Sequence, residues 1–456
     1  MIAPPEGSKR LLRTVGTPSQ DQPGPPSALD HHLSSWGPCP LPTRQHRRGA
    51  FAVIDESGLR GRGGAWFPVA AKWKAVAEGR KRPVVVVNAS EGEPASAKDA
   101  TLLFHAPHLV LDGAMFAAAA LEATRVVCFV PARFVAPLVS HLSDRSRAGM
   151  NAVDAEVVAA PEGYVVGQES AAVNFLNGGI PGTPTFTRLR PVYQSGVAGA
   201  PTLIQNAETL AHVALIARFG AEWFRREGTN ASPGTALITL TGSVASPRVM
   251  EIGVGTTLRS VLARTGDGTD GIQGVLIGGY GGGWVPTARA LDVQLSPEAL
   301  RGIGTGFGPG VVFLMPGNTC PGSQVAGLAR WMASQGAGQC GPCANGLPAI
   351  AAGLEAIVSG RAKKDTLNGV LHACTLVEGR GACRHPDGVA RMVRTALEVF
   401  ASDFDAHLRS KGCGRANRML LPTHPIFGTR ESPPRVRSRS SDRSLGSVRP
   451  ARAVLR

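Results

Sequence analysis

The sequence contains no apolar run long enough to cross a lipid bilayer. The stretch at 113–123 is rich in alanine and too short, since a membrane-spanning helix needs about 20 consecutive apolar residues. The N-terminus also lacks the charged start, apolar middle and cleavage site of a secretory signal peptide. We therefore expect a soluble, cytoplasmic protein with no transmembrane segment, for which any association with a membrane complex would be peripheral.

A basic groove for nucleic acid is also missing. The formal net charge is +15, but residues 410–456 carry +9 and residues 1–50 carry +3, so the other 359 residues carry only +3. Nucleic-acid grooves show clustered Lys and Arg with interleaved aromatic residues, so we expect no nucleic-acid binding. Residues 1–48 and 410–456 are rich in Pro, Ser or Arg without apolar periodicity, which predicts a disordered N-terminal extension and a disordered basic tail.

Three domains are predicted between these ends, in the α/β class. Residues 49–225 alternate β-branched runs at 83–88, 125–130 and 155–159 with helical stretches, which favours a parallel sheet covered on both faces. Two strands, a helix and a further strand within 232–318 indicate a small β-grasp domain. Apolar residues at helical spacing within 319–409 predict a C-terminal four-helix bundle, a fold that often holds metals.

A glycine-rich segment is the strongest local motif. Residues 57–68 read SGLRGRGGAWFP and are followed by Lys72. Four glycines within seven residues let backbone N–H groups approach a phosphate or a planar ring without an intervening Cβ. Arg60, Arg62 and Lys72 supply positive charge for a phosphate. A flexible turn without a ligand is the alternative, because glycine patterns alone are weak signals.

Three polar segments follow. NASEGEP at 88–94 lies at the end of a predicted strand, where ligands bind in α/β sheets. YVVGQES at 164–170 opens a predicted helix, and ordinary acidity at a helix N-terminus explains it equally well. PTLIQNAETL at 201–210 is the third segment.

In this order, the four motifs resemble those of the NADH-binding flavoprotein subunit of respiratory complex I and its relatives in soluble hydrogenases and formate dehydrogenases. The family pattern is SGLRGRGGAGFP, NADEGEP, YICGEET and TxxNNxET, and the similarity extends over about 57–409. It implies a flavin and nucleotide domain, an SLBB-like β-grasp domain and a helical iron–sulfur domain. It also implies an oxidoreductase that takes electrons from NADH through FMN to an iron–sulfur cluster, most simply 4Fe-4S, and on to a ferredoxin-like or 2Fe-2S acceptor protein.

The resemblance also implies roles for individual residues. No general acid or base is assigned, because hydride transfer to a flavin requires mainly stacking geometry. Around FMN and its phosphate it places Gly61, Arg62, Gly63, Gly64 and Lys72, with Asn88, Glu91, Gly167 and Asn206 completing the flavin site and Tyr164 also binding cofactor. On the nicotinamide face it places Phe67, Glu93 and Glu169.

The nicotinamide side departs from the family pattern. Trp66 stands where the family has glycine, and its indole could fill space that a nicotinamide ring needs. Ser90, Gln168, Gln205 and Pro191 also differ from the family residues. Two alternatives therefore stay open: a ferredoxin-linked flavoprotein, and a non-catalytic electron carrier that has lost the use of NADH.

Five of the eight cysteines lie between 320 and 383, which favours metal or redox chemistry. Cys340, Cys343 and Cys383 match three ligands of the family's 4Fe-4S cluster, but Ala337 replaces the first cysteine of the motif. The fourth ligand stays open, with Cys374 as a candidate. Further alternatives are Cys320 or His385 as the ligand, a labile or three-iron cluster, zinc, or a degenerate site with packed cysteines.

Overall fold

The computed structural model describes residues 4–5, 7, 9–12, 28–185, 191–409 and 412–425, and the backbone of 452–454. The strands are β1 (Val84–Asn88), β2 (Arg125–Pro131), β3 (Asp154–Ala160), β4 (Thr202–Asn206), β5 (Thr235–Gly242), β6 (Arg248–Gly253), β7 (Ile272–Ile277), β8 (Gly283–Val285), β9 (Val311–Pro316) and β10 (Arg452–Val454). The helices are α1 (Leu29–Trp36), α2 (Arg47–Ser57), α3 (Val69–Ala77), α4 (Lys98–His105), α5 (Pro107–Leu121), α6 (Val135–Arg147), α7 (Glu169–Leu176), α8 (Ala207–Arg225), α9 (Leu258–Thr265), α10 (Thr287–Asp292), α11 (Pro297–Arg301), α12 (Pro321–Ser334), α13 (Leu347–Val358), α14 (Thr366–Val377), α15 (His385–Val399) and α16 (Ala401–Leu408).

The first sheet has the strand order β10–β3–β2–β1–β4, in which β3, β2, β1 and β4 are parallel and β10 is antiparallel. Its central strand β1 is buried on both faces, as the continuous valine run predicts. Val85 and Val87 belong to one apolar core with α5 and α8, whereas Val84 and Val86 belong to another with α7. The predicted parallel sheet with helices on both faces is therefore confirmed.

The second sheet has the strand order β6–β5–β9–β7–β8 and is mixed, with β5 and β9 parallel and the other pairs antiparallel. The two strands, helix and further strand predicted within 232–318 are confirmed as β5, β6, α9 and β7. Thr257 caps α9, because its Oγ1 accepts a hydrogen bond from the Ser260 amide at 3.3 Å.

The C-terminal region is helical. Leu347, Ile350, Leu354 and Ile357 of α13 are fully buried in a core shared with α12, α14 and α15. The apolar periodicity continues to Phe404, but the helix ends at Val399 and a separate helix, α16, follows. At the break, buried Phe400 packs its ring against Trp284 at a centroid distance of 5.1 Å.

The expectation of a disordered segment at 1–48 is wrong where the structure describes it. Helix α1 buries Trp36 and His32, and His32 Nε2 lies 2.8 Å from Asp112 Oδ2 in α5. Nearer the N-terminus, the amides of residues 10–12 donate to Glu251 Oε2 at 2.8–3.1 Å. These anchors are single polar contacts, which leave no apolar periodicity in the sequence.

The expectation of a disordered tail is likewise wrong at 412–425. Cys320 N donates to Ala416 O at 2.9 Å, Ala416 N donates to Asn318 O at 3.0 Å, and Leu421 is buried. Main-chain pairing depends little on side-chain type, so composition did not reveal it. The disorder predicted for 13–27 and 426–451 falls outside the described residues.

Within the described ranges, no single helix is long and apolar enough to cross a membrane. The consecutive helices α4 and α5 reach that length and apolarity only when taken together, and they are bent by 96°. Helix α5 is buried along almost all of its length inside the first domain, which is typical of a core helix.

Candidate functional site

Three of the four motifs meet at the carboxyl ends of β1 and β4. Asn88 and Asn206 are paired in register as the last residues of these strands. Asn206 Nδ2 donates to Asn88 O at 3.4 Å, and Asn88 Nδ2 donates to Gly167 O at 2.8 Å. Asn206 also caps α8, since its Oδ1 accepts from the Glu208 amide at 3.1 Å. The sheet edge therefore assembles segments that are far apart in the sequence.

The glycine-rich loop lies directly against this edge. A Cβ on Gly63 would lie 3.2 Å from Asn206 Cβ, and a Cβ on Gly167 would lie 2.6 Å from Ser90 Oγ. Gly64 has a φ of +108°, a conformation that favours glycine, and pairs with Gly308 of the second domain. Gly61 closes the loop by donating to Phe67 O at 2.9 Å. Backbone thus approaches the strand ends closely, as ligand-binding loops require.

Arg62 points into the protein from the back of this loop. Its guanidinium donates to Pro233 O at 3.1 Å and to Thr235 O at 3.0 Å, and it lies 4.0 Å from the Glu208 carboxylate. Burial lowers the pKa of Arg62 to about 10. These contacts favour a positioning role for Arg62 over the phosphate contact implied by the resemblance.

Unlike Arg62, Lys72 of α3 places its charged group at the strand ends. Its ammonium forms an ion pair with Glu169, the first residue of α7, and donates to Ile204 O in β4 at 2.7 Å. The side chain of Lys72 is 19% exposed and that of Glu169 is 45% exposed. The ion pair therefore joins Lys72, which is expected at the flavin phosphate, to Glu169, which is expected on the nicotinamide face.

Trp66 and Phe67 point in different directions. The Trp66 indole is buried, lies 4.6 Å from the Phe307 ring and 4.2 Å from the Arg62 guanidinium, and donates from Nε1 to Gly308 O at 3.2 Å. Phe67 is 56% exposed. The indole thus packs against the domain that contains the second sheet. It does not point to the exposed side, where Phe67 lies and where a nicotinamide ring was expected.

The acidic loop after β1 makes contacts within the protein. Glu91 caps α4, because its carboxylate accepts from the amides of Asp99 at 3.0 Å and Ala100 at 2.9 Å. Glu93 reaches the second domain and accepts from the Tyr280 amide at 2.9 Å. Burial raises the pKa of Glu93 to about 8, so this carboxyl holds a proton at neutral pH.

A buried charge network lies next to Asn206, and none of the four motifs includes its lysine. Lys98 Nζ lies 2.7 Å from Asp99 Oδ1, 3.1 Å from Glu208 Oε2 and 3.0 Å from Asn206 Oδ1. Although burial opposes a charged ammonium, the two carboxylates raise the pKa of Lys98 above its usual range. The only signal for it in the sequence is the adjacent pair Lys98 and Asp99 after the acidic loop.

Tyr164 lies between the flavin motifs and the helical region. Its amide donates to Gln335 Oε1 at 3.1 Å, and its ring lies 5.8 Å from the Trp331 ring and 5.4 Å from the His385 ring. Burial raises the pKa of the Tyr164 hydroxyl. The residue therefore links the loop before α7 to the start of α15.

Cys340, Cys343 and Cys383 are close enough for one thiol to affect the ionisation of another. Burial raises the pKa of Cys343 to about 12, and the thiols of Cys340 and Cys383 add to the effect. A Cβ on Gly336 would lie 3.2 Å from Cys343 Sγ, so the chain passes this group next to Ala337. The three predicted cluster cysteines are thus brought together.

The candidates for a fourth ligand differ in position. Cys374 is buried in α14, where Arg394 and Glu378 are the charged groups that act on it. Cys320 precedes α12, whereas the cluster cysteines lie beyond its other end. A helix of 14 residues separates the two positions by about 20 Å at 1.5 Å per residue. Cys320 therefore lies too far away to complete the cluster.

His385 is better placed, two residues after Cys383. Its Nε2 lies 2.9 Å from Met332 O, and its backbone N–H donates to the Cys383 thiol. Its Nδ1 is buried without a hydrogen-bond partner in the described part of the chain. Its place two residues after Cys383 and its unpartnered Nδ1 make His385 a stronger candidate for the additional donor than Cys374 or Cys320.

The donors present fit the two groups that the motifs imply. Glycine backbone and the Lys72 ammonium suit a phosphate, whereas the side-chain amides of Asn88 and Asn206 hydrogen-bond within the protein and fix the edge of the site. Gln205 Nε2 is buried beside Asn206 without a partner among the residues described. Three converging thiols fit three corners of an iron–sulfur cluster.

Comparison with known proteins agrees with this class of site. Residues 54–215 match the Nuo51 FMN-binding domain, and residues 323–407 match the NADH-ubiquinone oxidoreductase-F iron-sulfur binding region. The chain is similar to the NADH-quinone oxidoreductase F subunit of Streptomyces coelicolor, with 31% identity over 380 residues, 79% of this chain and 83% of the relative. The F subunit of Mycobacterium tuberculosis is 31% identical over 390 residues, 79% of this chain and 85% of the relative.

A solved structure of an NAD+-reducing [NiFe]-hydrogenase in the air-oxidized state has a similar fold, with a TM-score of 0.75 and 30% identity. The match covers 81% of this chain, which spans 64% of that hydrogenase chain. Fold and site define a flavoprotein of the FMN and iron–sulfur type. The chain belongs to the family of the NADH-quinone oxidoreductase F subunits.

Proposed function

We propose that the protein is an NADH dehydrogenase-like oxidoreductase that passes electrons from a reduced nicotinamide nucleotide through FMN to an iron–sulfur cluster. The observation that carries the proposal is the convergence of the Gly61–Gly64 loop, Asn88, Gly167 and Asn206 at one sheet edge. Family membership supports it, because both the FMN-binding and the iron–sulfur regions match this chain. FMN supplies the conversion between hydride transfer and one-electron transfer when it is bound.

The residues of the sheet edge hold the two ligands in distinct ways. The glycine-rich backbone and Lys72 would bind the flavin phosphate, while Asn88 and Asn206, whose side-chain amides hydrogen-bond within the protein, would hold the sheet edge in place beside the ring. Lys72 exchanges its ion pair with Glu169 for a phosphate contact, which frees the Glu169 carboxylate on the nicotinamide side. Exposed Phe67 provides the aromatic surface for the nicotinamide nucleotide.

The helical region holds the cluster. Cys340, Cys343 and Cys383 are the thiolate ligands, and His385 Nδ1, which is buried without a partner among the described residues, is the fourth donor that we propose. Tyr164 packs against His385 and so fills the space between flavin site and cluster. This order of groups suits electron flow from the sheet edge into the helices.

We extend the proposal to architecture and partners. The second sheet with α9 is an SLBB-like β-grasp domain at 232–318, between a flavin domain at 49–225 and an iron–sulfur domain at 319–409. Helices α12 to α15 form a four-helix bundle. The relatives are subunits of larger enzymes, so we propose a ferredoxin-like or 2Fe-2S acceptor protein as the partner, with the whole located in the cytoplasm.

Flavin binding by a matched pair of variants tests the proposal. Lys72→Gln removes the cation at the strand ends, whereas Lys74→Gln removes an exposed lysine of the same helix that pairs with Asp55. Loss of a charge-assisted phosphate contact costs about 1.5–3 kcal/mol, so Lys72→Gln lowers FMN affinity at least about tenfold. Lys74→Gln binds FMN like the wild type. Equal affinities for both variants, or no FMN binding by the reconstituted wild type, would contradict the proposal.

A further inference from the structure

A second group of metal-ligating side chains lies at the opposite end of α12 from the cluster cysteines. Cys320, His407 and Cys413 each offer a ligand atom, and these atoms all lie within 4.8 Å of one another. Cys320 Sγ is 3.2 Å from His407 Nε2. The three residues come from the N-cap of α12, the last turn of α16 and the segment after α16. Tertiary structure alone brings them together.

Packing holds two of these ligands in fixed positions. Cys320 is 2% exposed and His407 is 8% exposed. Gly322 provides room for the imidazole, since a Cβ there would lie 3.0 Å from Val358 Cγ1 and 3.6 Å from His407 Cδ2. The Ser323 amide and hydroxyl point at Cys320 Sγ from 3.4 and 3.3 Å, and donors in these positions stabilise a thiolate.

The third ligand is held by the main chain of its own segment. Ala416, three residues after Cys413, exchanges backbone hydrogen bonds with Cys320 and Asn318 at 2.9 and 3.0 Å. Asp403, the nearest carboxylate that acts on Cys413, is occupied by an ion pair with Arg415. The described residues therefore supply two thiols and one imidazole, with Cys413 half-buried at the solvent side.

This group is separate from the iron–sulfur site. The length of α12 places Cys320 about 20 Å from the cluster cysteines. Both Cys320 and Cys413 also lie outside residues 323–407, the range that matches the family's iron–sulfur region. Nothing in the proposed electron transfer uses them, so the inference stands independently of that function.

We propose that Cys320 Sγ, His407 Nε2 and Cys413 Sγ bind one zinc ion, with water in the fourth position of a tetrahedron. Two thiolates and an imidazole are ligands that Zn²⁺ prefers, and a half-buried third ligand leaves one side open to water. Binding displaces the two thiol protons, since the thiolate is the ligand. The ion ties the segment 412–425 to α12 and α16, as a clamp on the C-terminal side of the helical region.

Metal content of the full chain, reconstituted with its flavin and iron, tests the site. After incubation with zinc and removal of free metal, wild type retains about one zinc per chain. Cys413→Ser loses it while its iron and flavin content stay at wild-type levels, which shows that the variant is folded. Cys39→Ser, a change at another half-buried cysteine, retains zinc. Cys413→His restores a ligand and retains zinc as well.

Cobalt provides an independent readout of the ligands. With Co²⁺ alone as the probe, wild type develops thiolate-to-cobalt charge transfer and tetrahedral visible bands, and Cys413→Ser, which does not hold the metal, develops neither. Equal zinc content in wild type and Cys413→Ser would overturn the proposal. So would a wild type that binds no zinc under reducing conditions, or one in which these two thiols form a disulfide that reduction does not convert into a zinc site.

Discussion

Replacing Trp66 by glycine, the residue that the family has at this position, is expected to destabilise the fold without improving the use of NADH. Trp66 has a φ of +53°, a left-handed conformation that glycine adopts more easily. Relief of that strain favours the variant by about 1–2 kcal/mol. The buried indole contacts Phe307 and Arg62, however, and the variant loses both contacts.

The losses exceed the gain. Truncating a buried tryptophan costs about 3–5 kcal/mol, and loss of a buried cation–π contact adds about 1–2 kcal/mol. We expect Trp66→Gly to lower the free energy of unfolding by about 2–6 kcal/mol in total. Because the indole packs against the second domain, the affinity for NADH should change by less than about 0.5 kcal/mol.

Phe67→Leu at the neighbouring position is the matched control. Phe67 is 56% exposed, so this change should alter stability by no more than about 0.5 kcal/mol. Loss of aromatic stacking should weaken NADH binding by about 0.5–1.5 kcal/mol. Urea denaturation gives the stabilities, and anaerobic bleaching of the flavin band as a function of NADH concentration gives the affinities.

A Trp66→Gly protein that is as stable as wild type and binds NADH much more tightly would refute this reasoning. That result would place the indole in the nicotinamide space in solution. Equal effects of both variants on stability would also contradict the different burial of the two side chains.

Three further predictions concern buried carboxylates. Burial raises the pKa of Glu93 from 4.5 to about 8, so the folded state holds a proton that the unfolded chain releases, and this contribution to stability is lost as the pH rises from about 4.5 through 8. Glu93→Gln should flatten that part of the pH dependence in urea denaturation, and an unchanged slope would contradict the pKa. Asp112→Asn leaves Arg145, 2.7 Å from the carboxylate, and Arg218 without their buried anion, so thermal or urea denaturation should show a loss of about 3–5 kcal/mol. Glu91→Ala removes the cap of α4 and should cost about 1–2 kcal/mol in the same assay, and a neutral effect would exclude capping.

The sequence predicted the sheet of the first domain well because its strands are continuous apolar runs. Val84–Val87 and the run in β2 are buried on both faces, so they stand out from their surroundings, whereas in β3 only Val157, Val158 and Ala160 are buried. Strand β4 was recognised only as a motif, since its apolar stretch is short and ends in Gln205 and Asn206. The resemblance implied that Asn88, Gly167 and Asn206 share one site, and hydrogen bonds join these three residues at the sheet edge.

Side-chain direction was not predictable from the motifs. Arg62 and Lys72 are equally cationic in sequence, yet Arg62 is buried behind the loop and Lys72 lies at the strand ends. Trp66 and Phe67 are adjacent aromatics with opposite exposure. Such differences depend on the domain that contains the second sheet, because it packs against one side of the glycine-rich loop. Nothing in the sequence of the loop shows which side that is.

The sequence also could not predict that ligands far apart along the chain come together. Cys320 and His407 are 87 residues apart, and Cys413 lies in a segment whose composition predicts disorder. Their approach depends on where α12 and α16 end and on main-chain pairing at Ala416. By contrast, Cys340 and Cys343 share a short motif, and the resemblance supplied Cys383.

An anaerobic NADH titration of the reconstituted protein, followed by absorbance and by electron paramagnetic resonance, tests the central claim most directly. We predict that NADH bleaches the flavin band and produces the signal of a reduced iron–sulfur cluster. We also predict that Cys383→Ser abolishes the cluster signal but keeps the bleaching. If flavin and iron are both bound and NADH changes neither spectrum, the protein does not take electrons from NADH.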